Sequence, residues 1–390
     1  MITEKRMNLA FLSTYPPREC GLATFTQDLV VQLNKIHATS HSRIIAVSNT
    51  ETEYEDIVMM ELSQHERKSY RQTATRLNLS DIDLLVIEHE YGIYGGESGV
   101  YLLDLVNSLK IPFVTTLHTV LPEPTPQQLH ILHELGEKGE KIITMAQNTV
   151  DILVGVYGID PEKIEVIHHG VPDIKMKSRE DLKKDNGLEG RSVISTFGLL
   201  GPGKGLEYGV EAIAGVAASH KEILYLILGQ THPAVRKDSG EDYRKSLETM
   251  VERLGIHDNV MFVNKYMTKE EIVRYLKMSD IYMTPYLGKD QAVSGTLAYA
   301  AGYGRVIVST PYSYAKEMLS DGRGLLAEFR DADSMAQCIE YVLEHPLEKL
   351  EMERRTLETG KTMMWKQVAE QYKMLFADVV KESEKIEVTA

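Results

Sequence analysis

Short apolar runs recur along this chain, and most are followed by a longer stretch whose apolar positions fall at helical spacing. Residues 8–13, 43–47, 84–88, 113–117, 141–145 and 164–167 read as strands in the first half. Residues 22–34 and 99–109 read as helices between them. Residues 192–197, 223–228, 260–263, 281–284, 306–309 and 324–327 continue the strand pattern, with a helix over 206–214. Such alternation predicts repeated βα units and parallel sheets. The rhythm breaks between 168 and 191. There His168-His-Gly-Val-Pro-Asp173 turns the chain, and the charged run 175–190 reads as a solvated linker or a short surface helix. The predicted domains are therefore 1–178 and 179–362, followed by a segment 363–390 that is mostly helix. Trp365, Val368, Tyr372, Leu375 and Val379 share one side of that helix. Two α/β domains in sequence place a ligand in the cleft between them, beside the carboxyl ends of their strands.

Composition narrows the partners. The 390 residues are enough for about two domains of ordinary size. A net charge of −14 argues against a general nucleic-acid or anionic-membrane binder, while leaving room for a small anion in a locally positive cleft. Two cysteines, Cys20 and Cys338, make neither a disulfide framework nor a metal cluster, which fits a reducing cytoplasm. Met1-Ile-Thr-Glu-Lys-Arg6 lacks the apolar core of a secretion signal, and no run is long enough to span a membrane. The expectation is a soluble, cytoplasmic protein; self-association into a homo-oligomer stays open.

The chemistry sits at strand ends. Gly198-Leu-Leu-Gly-Pro-Gly-Lys-Gly205 lies between a strand and a helix, where backbone N–H groups and a helix N-terminus face an anion and Lys204 adds charge. The run nearly spells a P-loop, but Gly205 stands where a magnesium-binding Ser or Thr belongs. Gly203 lets backbone approach the ligand, and Ser294-Gly295-Thr296 opens a small-residue helix suited to phosphate. In the first half, the loop 13–25 offers Gly21 for close approach and Arg18 for phosphate pairing, the alternative being an exposed arginine on a Pro-Gly loop. His89, Glu90 and His118 end two predicted strands and are candidate sugar contacts. His232, Arg236 and Arg244 are either ligand groups or exposed helix charges. No histidine or carboxylate spacing matches a metal site, so no metal and no cofactor are expected.

At these residues the chain resembles the retaining family 4 (group 1) glycosyltransferases. The resemblance runs through the Gly21 loop, Thr-Leu-His118, His169-Gly-Val-Pro172, the Gly198–Gly205 turn and the Ser294–Gly304 helix, nearly the whole length. It implies the GT-B fold, α/β, with two Rossmann-like parallel-sheet domains facing each other across a cleft. It also implies transfer of a hexose from a nucleotide sugar to a carbohydrate acceptor hydroxyl, with retention and without a required metal. The first domain would take the acceptor, the second would hold the donor diphosphate against a helix N-terminus, and the helix around Trp365 would cross back to the first domain.

Two departures stand out. The family has Gly-Arg-Leu where this chain has Gly198-Leu199-Leu200, and its two glutamates separated by seven residues fall on Gln291 and Tyr299. Lys204, His118 and Gln291 are the expected catalytic set, Lys204 acting on the leaving phosphate and the other two orienting the sugar. Tyr299 joins Gly21, Arg18, Gly203 and 294–296 as a donor contact. Two further readings follow from the departures: a retaining disaccharide phosphorylase working with sugar 1-phosphate, and a non-catalytic sugar-phosphate-binding scaffold.

Overall fold

The computed structural model describes residues 6–36, 40–50 and 52–389. Residues 1–5, part of the stretch read above as lacking a secretion signal, lie outside the described residues. The chain divides into two compact units, one of residues 1–170 with 365–390 and the other of residues 171–364.

The first unit is built on seven strands: β1 (Met7–Ser13), β2 (Ser40–Ser48), β3 (Val58–Ser63), β4 (Leu84–His89), β5 (Phe113–Leu117), β6 (Lys141–Thr144) and β7 (Ile164–Val166). Their order across the sheet is β3-β2-β1-β4-β5-β6-β7. The second unit carries six: β8 (Ser192–Phe197), β9 (Ile223–Leu228), β10 (Val260–Val263), β11 (Ile281–Thr284), β12 (Val306–Ser309) and β13 (Gly324–Leu326), ordered β10-β9-β8-β11-β12-β13. Every pairing is parallel. Both sheets reverse their winding beside the first strand, between β1 and β4 and between β8 and β11. Ligands of open α/β sheets bind outside the carboxyl ends of strands at such points. The fold class is thus two Rossmann-like parallel-sheet units.

Central strands such as β4 and β9 are buried along their whole length, so β9 and the first four residues of β4 read in sequence as apolar runs. In the second unit the helices Leu206–Ala217, Asp242–Leu254 and Ala332–Glu344 bring Val210, Ile213, Val251 and Ile339 onto Ile194, Tyr225 and Ile281 of the sheet.

Two expectations change, and one of two alternatives is selected. β3 was not foreseen, because an edge strand is half-exposed and Val58-Met-Met-Glu-Leu-Ser63 carries no unbroken buried run. The helix expected over 99–109 shrinks to Leu102–Val106, preceded by a 3₁₀ turn Glu97–Gly99 in which Ser98 has a non-helical φ of +53°. The charged run contains a real helix, Arg179–Asp185, capped by Ser178, whose Oγ accepts from the Asp181 N–H at 3.1 Å. It is not simply solvated: Arg179 and Lys183 reach Asp280 at 3.4 and 2.5 Å, and Lys349 reaches it at 2.8 Å. Burial alone would raise the Asp280 carboxyl, but Lys349 and Lys183 hold it below the ordinary aspartate range.

The last helix, Trp365–Thr389, belongs to the first unit. Trp365, Val368, Tyr372 and Val379 are buried as its apolar side predicts, but Phe376, at 6.2 Å from Phe11, takes the buried place expected of half-buried Leu375. Gly170 is required where the helix begins, since a Cβ there would stand 2.2 Å from the Trp365 ring. Among the described residues no helix is long and apolar enough to cross a membrane.

Candidate functional site

In the second unit, the β8–β11 switch point gathers the turn after β8 and the loop after β11. Gly205 ends the turn with φ +58°, and a Cβ on it would sit 2.2 Å from the Pro285 carbonyl. No side-chain-bearing residue fits there without moving that loop. The Leu287 N–H donates to the Gly203 carbonyl at 3.0 Å, so turn and loop are fastened side by side. This places the Lys204 ammonium 3.8 Å from the centroid of Tyr286, a cation–π contact. Tyr286 stacks on Tyr312 at 5.6 Å, and its hydroxyl lies 3.0 Å from the Thr296 hydroxyl. Ser294 caps the helix Gly295–Gly302, its Oγ accepting from the Leu297 N–H at 3.3 Å, and also lies 3.2 Å from Thr296 Oγ1. Lys204, Gly203, Ser294, Gly295 and Thr296 therefore converge on one patch of cation, hydroxyls and helix N-terminus, an arrangement that suits an anion.

Gln291 and Tyr299 are placed less openly. Gln291 turns back on its own loop, donating from Nε2 to the Val293 carbonyl at 2.9 Å. Tyr299 is buried with its ring 6.2 Å from Phe197. A hydrophobic side chain on the inner face of a small-residue helix packs into the core, so the expectation that Tyr299 meets a ligand directly is not met by this packing.

In the first unit, the β1–β4 switch point collects a different set. His118, just past β5, is half-buried, with Nε2 2.8 Å from Glu88 Oε2; Glu88 is fully buried. The His118 N–H donates to the His89 carbonyl at 3.0 Å, and Thr119 Oγ1 donates to Glu90 at 2.6 Å. Phe25 stands edge-on to His118 at 4.8 Å and also touches His169 and Trp365, each at 5.1 Å. Gly21 begins the helix Gly21–Ile36 and has open space where a Cβ would stand. Arg18 is half-buried, and its Nη1 has no hydrogen-bond partner among the described residues.

His89 corrects an expectation. It is a core residue, fully buried against Tyr91 and Tyr94, and does not face a ligand. Burial, then the neighbouring His118, pushes its imidazole down to about 3. As the last residue of a strand buried on both faces, it points inward. His232 and Arg236 are also used within the fold: His232 Nδ1 accepts from the Ala234 N–H at 3.1 Å as a helix cap, and exposed Arg236 pairs with Glu241 at 3.4 Å. Arg244 pairs with Glu241 and Glu248.

Glu88, Phe25 and Tyr286 were not singled out from the sequence. The available signal for Glu88 was a carboxylate inside an otherwise apolar buried strand. For Tyr286 it was composition, since 20 tyrosines against seven phenylalanines mean that many core rings carry a hydroxyl. Among the described residues no group of three His, Cys, Asp or Glu could hold a metal ion.

Comparisons with known proteins bear on the fold and the family. A family model described as "Glycosyl transferases group 1" matches residues 178–363, and one described as "Glycosyltransferase Family 4" matches residues 60–173. The chain is 24% identical to a 2-deoxystreptamine glucosyltransferase of Streptomyces kanamyceticus over 60% of this chain and 62% of that one. It is 22% identical to a D-inositol 3-phosphate glycosyltransferase of Nocardioides sp. over 67% of this chain and 61% of that one. The chain spans about six tenths of the length of these curated relatives. Among solved structures, Anabaena HepE in complex with UDP and glucose superposes with a TM-score of 0.75 at 15% identity, covering 96% of this chain and 100% of that one. The sucrose-phosphate synthase of Thermosynechococcus elongatus gives 0.77 at 15% identity, covering 97% and 100%. At that identity the structural likeness speaks for the fold alone.

Proposed function

We propose that the chain is a group 1 glycosyl transferase, as the two family models that match its halves support, and that it moves a hexose from a nucleotide-sugar donor to a hydroxyl of a carbohydrate acceptor, with retention and without a metal ion. The observation that carries this is the position of Lys204. Its ammonium rests on Tyr286 beside the Ser294-capped helix start, at the strand ends where an open sheet takes its ligand. As the bond from sugar to phosphate breaks, negative charge grows on the departing phosphate, and a preorganised cation and helix N-terminus stabilise it there. His118 would orient the transferred sugar, and Gln291, holding its own loop, would shape the donor pocket. With no carboxylate assigned as nucleophile, an oxygen of the departing phosphate takes the proton of the acceptor hydroxyl as the new glycosidic bond forms. The free thiols of Cys20 and Cys338 fit work in a reducing cytoplasm.

Buried Tyr299 and the apolar Leu199 favour a second reading. A donor site lacking a carboxylate at Tyr299 and a guanidinium at Leu199 has fewer groups for ribose and diphosphate, which suits a phosphorylase that takes sugar 1-phosphate. Initial rates with a panel of nucleotide sugars, measured in EDTA, test the proposal. Transfer should persist with chelator, and Lys204→Ala should cut turnover by roughly 100-fold while the fold is kept. Transfer that requires added magnesium, or a folded Lys204→Ala variant within about threefold of wild type, would contradict it.

A further inference from the structure

We propose that Glu88 is a positioning residue that holds His118 in one tautomer, with the proton on Nε2, and so presents Nδ1 as a hydrogen-bond acceptor to a hydroxyl of the transferred sugar. The inference rests on the glycosyl-transfer reading for the ligand, though not for the tautomer.

The geometry begins with what a carboxylate can do. With Glu88 ionised, its carboxylate only accepts hydrogen bonds, so the imidazole nitrogen 2.8 Å from Oε2 is the one that carries the proton. In the neutral ring the other nitrogen is then an acceptor. Among the described residues His118 Nδ1 has no hydrogen-bond partner, and 13% of the side chain stays exposed. The ring is also held by the edge-on Phe25 at 4.8 Å, and its main chain by the bond from the His118 backbone N–H to the His89 carbonyl. Glu90 fastens the next residue, Thr119, in the same way.

A purely structural role explains Glu88 poorly. A carboxylate removed from water is costly, and a well-packed apolar residue there is commonly neutral or stabilising. Among the described residues His118 is the ion-pair partner that Glu88 has, and no lysine or arginine shares it. Burial pushes the Glu88 carboxyl up, and its contacts with His118 and Thr116 pull it back only in part, so it stays above the ordinary glutamate range. This makes the tautomer informative: a protonated Glu88 would donate to Nε2 and leave the proton on Nδ1, the opposite arrangement.

The test uses the full chain with ¹⁵N-labelled histidine, the His118 signals being identified by their loss in His118→Gln. Long-range ¹H–¹⁵N correlation should show the Nε2–H pattern in the wild type. It should persist in Glu88→Gln, whose amide carbonyl can accept the same bond, and collapse toward the averaged pattern of a free imidazole in Glu88→Leu. Glu88→Leu removes a buried charge with little change of volume, and a thermal melt checks its fold. In calorimetric titrations Glu88→Leu should weaken a nucleotide sugar by about tenfold, the scale of one hydrogen bond, while the matching nucleoside diphosphate stays within about twofold. Combined with His118→Ala, Glu88→Leu should add no further loss. An Nδ1–H pattern in the wild type, or an unchanged tautomer in folded Glu88→Leu, would overturn the positioning role. Absence of any nucleotide-sugar binding by the wild type would overturn the sugar-presenting half together with the transferase reading, and the tautomer spectrum would still decide the half that concerns Glu88.

Discussion

His89 carries two ring nitrogens into the core, and neither finds a hydrogen-bond partner among the described residues. A buried imidazole in that position must be neutral. Its folded value lies near 3, pushed down chiefly by burial, against about 6.5 for an unperturbed histidine in the unfolded chain. Between those values the unfolded chain binds a proton that the folded one refuses. Stability is therefore fully present above about pH 6.5 and is lost as pH falls toward the folded value, with a limiting slope of about 1.4 kcal/mol per pH unit. Denaturant unfolding of the wild type and His89→Phe over pH 4–7 checks this. The variant should show the shallower dependence, and parallel curves would contradict the assignment. The same strand end shows why single residues were only partly legible. Glu88 and His118 are 30 positions apart, so nothing local in the sequence shows that the two side chains meet. Lys204 could be picked out because its glycine turn is a local feature with a local physical consequence.

Among the elements, the turn after β8 is the most constrained. Gly205 combines a left-handed φ with a Cβ position 2.2 Å from the Pro285 carbonyl, so Gly205→Ala meets both a conformational penalty and a clash. The left-handed conformation alone costs roughly 1–2 kcal/mol for a residue with a Cβ, and displacement of the loop adds to it. Denaturation midpoints should place Gly205→Ala at least about 2 kcal/mol below wild type. A loss under about 0.5 kcal/mol would mean that turn and loop are not fastened as described. Legibility at this scale followed burial. Strands enclosed on both faces, such as β9 and the first four residues of β4, are unbroken apolar runs and are plain in the sequence. β3, at the sheet edge, shares its surface with water and leaves no such run. The helix expected over 99–109 failed at its start because Gly99 takes a φ of +86° at the end of a 3₁₀ turn, which helical spacing of apolar residues does not reveal.

For the molecule as a whole, alternation of apolar runs and helical stretches was enough to read the α/β class, since it follows from burying parallel sheets under helices. The order of strands across each sheet was not readable, because it depends on pairings between residues far apart in the chain. That order matters most for function: it puts β1 beside β4 and β8 beside β11, and so brings His118 and Lys204 to the switch points of their sheets. The central claim is the proposal that Lys204 of the second unit serves a nucleotide-sugar donor. It is tested most directly by calorimetric titration of the wild type and Lys204→Ala with UDP, GDP and ADP. Saturable binding of one nucleoside diphosphate by the wild type, weakened at least about tenfold in the folded variant, is the predicted result. Failure of all three to bind at millimolar concentration, with a sugar 1-phosphate binding instead, would contradict it.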